Sequence, residues 1–164
     1  MITQWHDFFL TVGGGAAALA GLVFVAISIN LDIVLCDPTH RNRAIGTLAG
    51  FTAAFLICAF ALMADQGKRM VGVEWLVIAG TGAYIYVNGY VKAVKTGGSP
   101  EGLSLIRTVG GTVCYAAQII GSILLILGYD IGLQMAAAAM VLFFVFTISG
   151  AWLLIVGAHK SANK

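Results

Sequence analysis

Two groups of polar side chains in this sequence are spaced to act together. Ser28, Asn30 and Asp32 close one long apolar run, with Ser28 and Asp32 one helical turn apart. Tyr84, Asn88 and Lys92 follow one another at four-residue steps and would share one helix face, and Arg107 opens the next apolar run. If these runs end at the same surface, an acid, two amides, two hydroxyls and two cations meet there. Ionisable groups inside a membrane mark solute paths by default. These lie near a boundary, where long cationic side chains reach headgroups by snorkelling, so a structural ion pair of Asp32 with Lys92 or Arg107 is the favoured expectation.

Gln118 poses a different problem. It is the deepest strongly polar side chain, and it shares a helical stripe with Gly111, Cys114 and Gly121. An amide without partners in hydrocarbon costs several kcal/mol, so a facing helix or a hydrated path must satisfy it. If the protein conducts, Gln118 and Cys114 should line the way, with Asn88 and the cations at one end.

Catalytic signatures are missing. Gly13-Gly14-Gly15 is followed by no Lys-Ser/Thr, so it is no phosphate loop, and neither a zinc-protease nor a serine-hydrolase motif occurs. Cys36, Asp37 and His40 form at most half a metal site, lacking a second ligand pair. The three cysteines, Cys36, Cys58 and Cys114, show no paired spacing and read as small apolar residues. The expectation is a protein that is not an enzyme and has no cofactor, no metal and no nucleic-acid partner.

The elements that must position these groups are membrane spans. The 164 residues are 60% hydrophobic and 10% charged, with mean hydropathy +0.95. A hydrocarbon core of roughly 30 Å needs about 20 residues of helix. Five stretches near 8–31, 44–64, 75–91, 108–129 and 135–157 contain no Lys, Arg, Asp or Glu, and only the third is short. The predicted architecture is all-α, a single five-span helical bundle with no soluble domain. Met1 to Asp7 holds no Lys or Arg, so the first stretch reads as a span and not as a cleaved leader. Alternating sides puts Arg41, Arg43, Lys92, Lys95, Arg107, Lys160 and Lys164 on one face and only Lys68 and Arg69 on the other. Cations stay on the cytoplasmic side, which predicts an outer N-terminus and an inner C-terminus. Trp5, Trp75 and Tyr129 then fall at the outer ends, as an aromatic belt would.

Lipid is as apolar as leucine, so such helices associate through close packing of small residues. Three stripes offer this: Gly14, Ala18 and Gly21 on the first span; Gly46, Gly50 and Ala54 on the second; and Gly111 and Gly121 on the fourth. In the last span Val141, Phe144, Ile148 and Trp152 form a bulky row suited to lipid or a neighbouring subunit.

The opening Trp5-His6-Asp7-Phe8-Phe9, followed by the glycine- and alanine-rich run from Gly13 to Leu31, resembles the first span of small bacterial integral membrane proteins of unassigned function. The resemblance implies a bacterial inner membrane and carries no activity or site residue with it. Two functions fit the sequence. One is a small channel or facilitator for ions or small solutes, which at this size requires a homo-oligomer. The other is an accessory or regulatory subunit bound to a larger membrane protein through its glycine and alanine faces.

Overall fold

The computed structural model describes residues 5–36, 38–63, 67–95 and 105–162, and nearly all of them are helical. The helices are α1 (His6–Ile29), α2 (Leu31–Cys36), α3 (Pro38–Ala61), α4 (Lys68–Lys95), α5 (Leu105–Ile126) and α6 (Ile131–Ala162). Among the described residues five helices are long and apolar enough to cross a membrane: α1 throughout, Ala44–Ala61 in α3, Lys68–Lys92 in α4, Val109–Ile126 in α5 and Ile131–Trp152 in α6.

Two boundaries differ from the sequence reading. The third span, expected over 75–91, is part of a helix of 28 residues. Lys68, Arg69 and Glu74 end the apolar run but are themselves good helix formers, so charge does not end the helix. Glu74, read from sequence as loop, therefore lies half-buried inside α4. The connection expected over 32–43 is largely helical too. Asn30 leaves helical geometry at φ −112° and ψ 31°, and its backbone N–H reaches Ile27 O at 3.1 Å. Its side-chain Nδ2 donates to Ala26 O at 3.0 Å. α2 follows at once, and α3 opens on Pro38, whose missing N–H is harmless in a first turn. Asp37 lies outside the described residues.

Helices α3, α4, α5 and α6 each pack on the next, and α6 returns to α3, so the four close a ring. α1 lies outside that ring, mainly against α3. The α5–α6 turn is set by Gly128, whose φ of 92° suits a residue without Cβ. Gly128 N–H donates to Leu125 O and Tyr129 N–H to Leu124 O, both at 3.0 Å, the paired bonds of a glycine-ended helix. The tight turn folds α6 back along α5, and glycines let the backbones meet. A Cβ on Gly121 would stand 2.9 Å from Ala136 N, and one on Gly132 would stand 2.6 Å from Leu125 N.

One end of the ring is filled by an apolar cluster that includes Ile57, Trp75, Leu125, Leu133 and Met140, with Phe9 entering from α1. Phe9 and Trp75 meet edge-on with ring centroids 5.7 Å apart. Trp75 is wholly buried, which corrects its expected place in an interfacial belt. Tyr129 and Trp152 are exposed, as Val141 and Ile148 are.

The contact face of α1 also differs from the expected one. Gly14, Ala18 and Gly21 are exposed, and nothing lies within 4 Å of a Cβ built on either glycine. The buried face is Phe9, Gly13, Ala16 and Val23. A Cβ on Gly13 would stand 2.8 Å from Cys58 Cβ, so α1 touches α3 there. Three consecutive glycines leave the rotation of this helix open to sequence reading. The burial of Phe9 against Trp75 selects the face one residue, about 100°, away.

Candidate functional site

The groups expected to meet at one surface lie on four helices, α1, α2, α4 and α5. Ser28 is exposed and its hydroxyl donates to Phe24 O at 2.9 Å, while the Asn30 amide serves the end of α1. These bonds stay within one helix, so neither side chain needs a partner across the bundle. Asp32 is exposed on α2, whose neighbours are chiefly α3 and α6. Tyr84 and Lys92 are exposed and Asn88 is half-buried on α4, which packs on α5 and α3. Arg107 is in α5, with its side chain outside the described residues. α2 and α4 thus share α3 as a neighbour but differ in their other chief contacts, α6 for α2 and α5 for α4.

The stripe carrying Gln118 turns inward. Gly111, Cys114, Gln118 and Gly121 are all buried on α5. Tyr86 of α4 lies over Gly111, where a Cβ would come within 2.5 Å of its hydroxyl oxygen. Tyr86, Tyr115 and Phe143 then form a row across the ring, the first pair tilted and the second edge-on, with centroids 5.7 and 5.0 Å apart. On α3, Gly50 admits Thr147 and Phe143 of α6 and Ala54 is buried, whereas Gly46 faces open space.

Gln118 borders a cavity of ≈ 20 Å³ at the centre of the ring, reached by all four helices: Ala54 of α3, Ala79 of α4, Cys114 of α5, and Met140 and Phe143 of α6. The residue is 7% exposed, and Nε2 is buried without a hydrogen-bond partner among the described residues. Two nearby hydroxyls are occupied elsewhere. Ser122 Oγ donates to the backbone oxygen of Gln118 at 2.8 Å, and Thr147 Oγ1 turns to Phe143 O at 2.9 Å. The Cys58 thiol points at Met140 Sδ, 3.5 Å away. Beside the Gln118 amide, the lining includes the Tyr115 hydroxyl and the Cys114 thiol but no Lys, Arg, Asp or Glu.

Sequence reading overlooked the ion pair of Lys68 with Asp130, which ties the start of α4 to the α5–α6 turn. Opposite charges at the ends of successive spans were its signal. Among the described residues no cluster of three or more His, Cys, Asp or Glu side chains is placed to hold a metal. Compared with family models, curated proteins and solved structures, the chain matches none.

Proposed function

We propose that this chain is a non-catalytic membrane subunit that assembles with another membrane helix through the outward face of α1. The observation that carries this reading is the open space beside Gly14 and Gly21, with Ala18 exposed between them. Small residues in line let two helix backbones approach closely in lipid, and this line is unused within the bundle. The partner is a second copy or a larger membrane protein. The seven-to-two division of cations supports an outer N-terminus and a cytoplasmic C-terminus, and the resemblance of the first span to small bacterial membrane proteins supports a bacterial inner membrane. Purification in mild detergent, with the mass of the particle and of any co-purifying chain, tests the assembly. A particle of one copy and no partner overturns it. Cytoplasm-active reporters on each terminus test the orientation, and activity at the N-terminus reverses it.

The second reading, an oligomeric channel or facilitator, is favoured by the uncommitted amide of Gln118. It has less support because Gln118 and Cys114 face the ring centre and not an oligomer axis. The same ring is filled by Trp75, Leu125 and Leu133.

A further inference from the structure

We propose that the outward face of α4 pairs with the same face of a second copy of this chain, about a two-fold axis along the membrane normal, with Tyr84 and Asn88 bonded across the contact. The face is a line of residues at alternating four- and three-residue steps, the spacing of a helix seam: Val77, Thr81, Tyr84, Asn88 and Val91. Asn88 is half-buried and the others are exposed, Tyr84 at 69%. Beside them Gly80 has nothing within 4 Å of a built Cβ, so another backbone can come close. Thr81 Oγ1 donates to Val77 O at 2.8 Å within its own helix. Among the described residues neither the Tyr84 hydroxyl nor the Asn88 amide makes a hydrogen bond.

Depth makes these two groups informative. Gln118 lies at the middle of the Val109–Ile126 span and shares the central cavity with Ala79, which sets the mid-membrane level on α4. Tyr84 follows five residues later, about 7–8 Å along the axis, well inside the roughly 15 Å of hydrocarbon on that side. Helical side chains lean toward the N-terminus, which carries the phenol back toward the middle. Asn88 lies one turn further, near the hydrocarbon edge. A phenol or an amide without a partner there is costly, and lipid tails offer none. Each of these groups both donates and accepts, so each can bond an identical group. Copies inserted the same way hold the same residue at the same depth, and a two-fold axis brings those residues together. No Lys, Arg, Asp or Glu interrupts Trp75–Val91 to set like charges in opposition, and Lys92 can snorkel away at the boundary. The contact is separate from the α1 face and does not depend on it.

Two measurements on the full-length protein in lipid vesicles test the pairing. Energy transfer between chains labelled at the C-terminus reports dimers as added lipid dilutes the protein. Tyr84→Phe and Asn88→Leu should each weaken dimerisation by roughly three- to tenfold, the scale of an interhelical hydrogen bond in a membrane. Both should leave the unfolding temperature of the monomer unchanged. An unaltered protein that stays monomeric, or a dimer that neither variant weakens, overturns the proposal. Cross-linking locates the contact. With Cys36, Cys58 and Cys114 replaced by alanine, Val77→Cys should form a disulfide-linked dimer on oxidation several-fold faster than Leu142→Cys, which is exposed on α6. Equal rates also overturn it. Adding Gly21→Leu should leave the Val77→Cys cross-link in place. A cross-link lost on that change assigns self-association to α1, which rejects the α4 contact and upholds the α1 reading.

Discussion

The indole Nε1–H of Trp75 on α4 donates to the backbone carbonyl of Ile57 on α3 at 3.0 Å, with both residues buried. This bond joins two helices of the ring at the level where Phe9 docks α1, so one side chain connects three helices. In lipid the gain comes from packing and from satisfying the indole donor, because moving apolar surface from lipid into the bundle gains little.

Trp75→Ala should accordingly lower stability by on the order of 3 kcal/mol, the usual scale for deleting a large buried aromatic. Trp75→Phe keeps most of the ring and loses the donor, leaving the Ile57 carbonyl with its helical partner only. It should cost about 1 kcal/mol. Thermal unfolding in detergent, followed by loss of helical circular dichroism, gives the comparison. Equal losses for the two variants would show that the hydrogen bond and not the packing matters.

Gly13 and Gly21 lie eight residues apart on α1 but on different faces, and a leucine at each should act differently. Gly13→Leu drives a side chain into Cys58 and should destabilise the monomer by roughly 1–3 kcal/mol, the range for overpacking. Gly21→Leu meets open space and should leave monomer unfolding unchanged while weakening assembly. Unfolding midpoints together with size-exclusion mass separate the two effects. A destabilised monomer from Gly21→Leu would contradict the orientation of α1 described above.

The Lys68–Asp130 pair is half-exposed at both side chains, with 40% and 51% of their surfaces accessible, so solvent screens it. Asp130→Asn should cost no more than about 0.5–1 kcal/mol, and the difference should shrink in high salt. A larger, salt-independent loss would mean that Asp130 also braces the turn.

Cys36 is exposed and Cys114 is buried beside the small cavity, which gives a direct test of the channel reading. A small charged thiol reagent applied to membranes should modify Cys36 and spare Cys114, since thiolates form poorly away from water and ≈ 20 Å³ does not admit the reagent. Replacing Cys36 and Cys58 isolates the Cys114 signal. Labelling of Cys114 accompanied by solute flux from reconstituted protein would restore permeation as the leading function.

The sequence by itself determined that this chain is helical with five apolar segments of membrane-spanning length. That information is local, since an uncharged run of sufficient length can satisfy its backbone in lipid only as a helix. It also marked Gln118 as the side chain needing an explanation, because depth along a span can be counted. The rotation of each helix about its axis could not be counted. On α5 the stripe through Gly111, Cys114, Gln118 and Gly121 is inward, and small and polar residues coincide there in sequence as in structure. On α1 the similar stripe through Gly14, Ala18 and Gly21 is outward. The choice between it and the Gly13–Ala16 face was made by Phe9 fitting against Trp75, on a helix 66 residues further along the chain. Only the tertiary structure decided that Asp32 and Lys92 belong to helices that share α3 but differ in their other chief contacts. Span order fixes depth in the membrane, whereas packing around α3 fixes position in its plane.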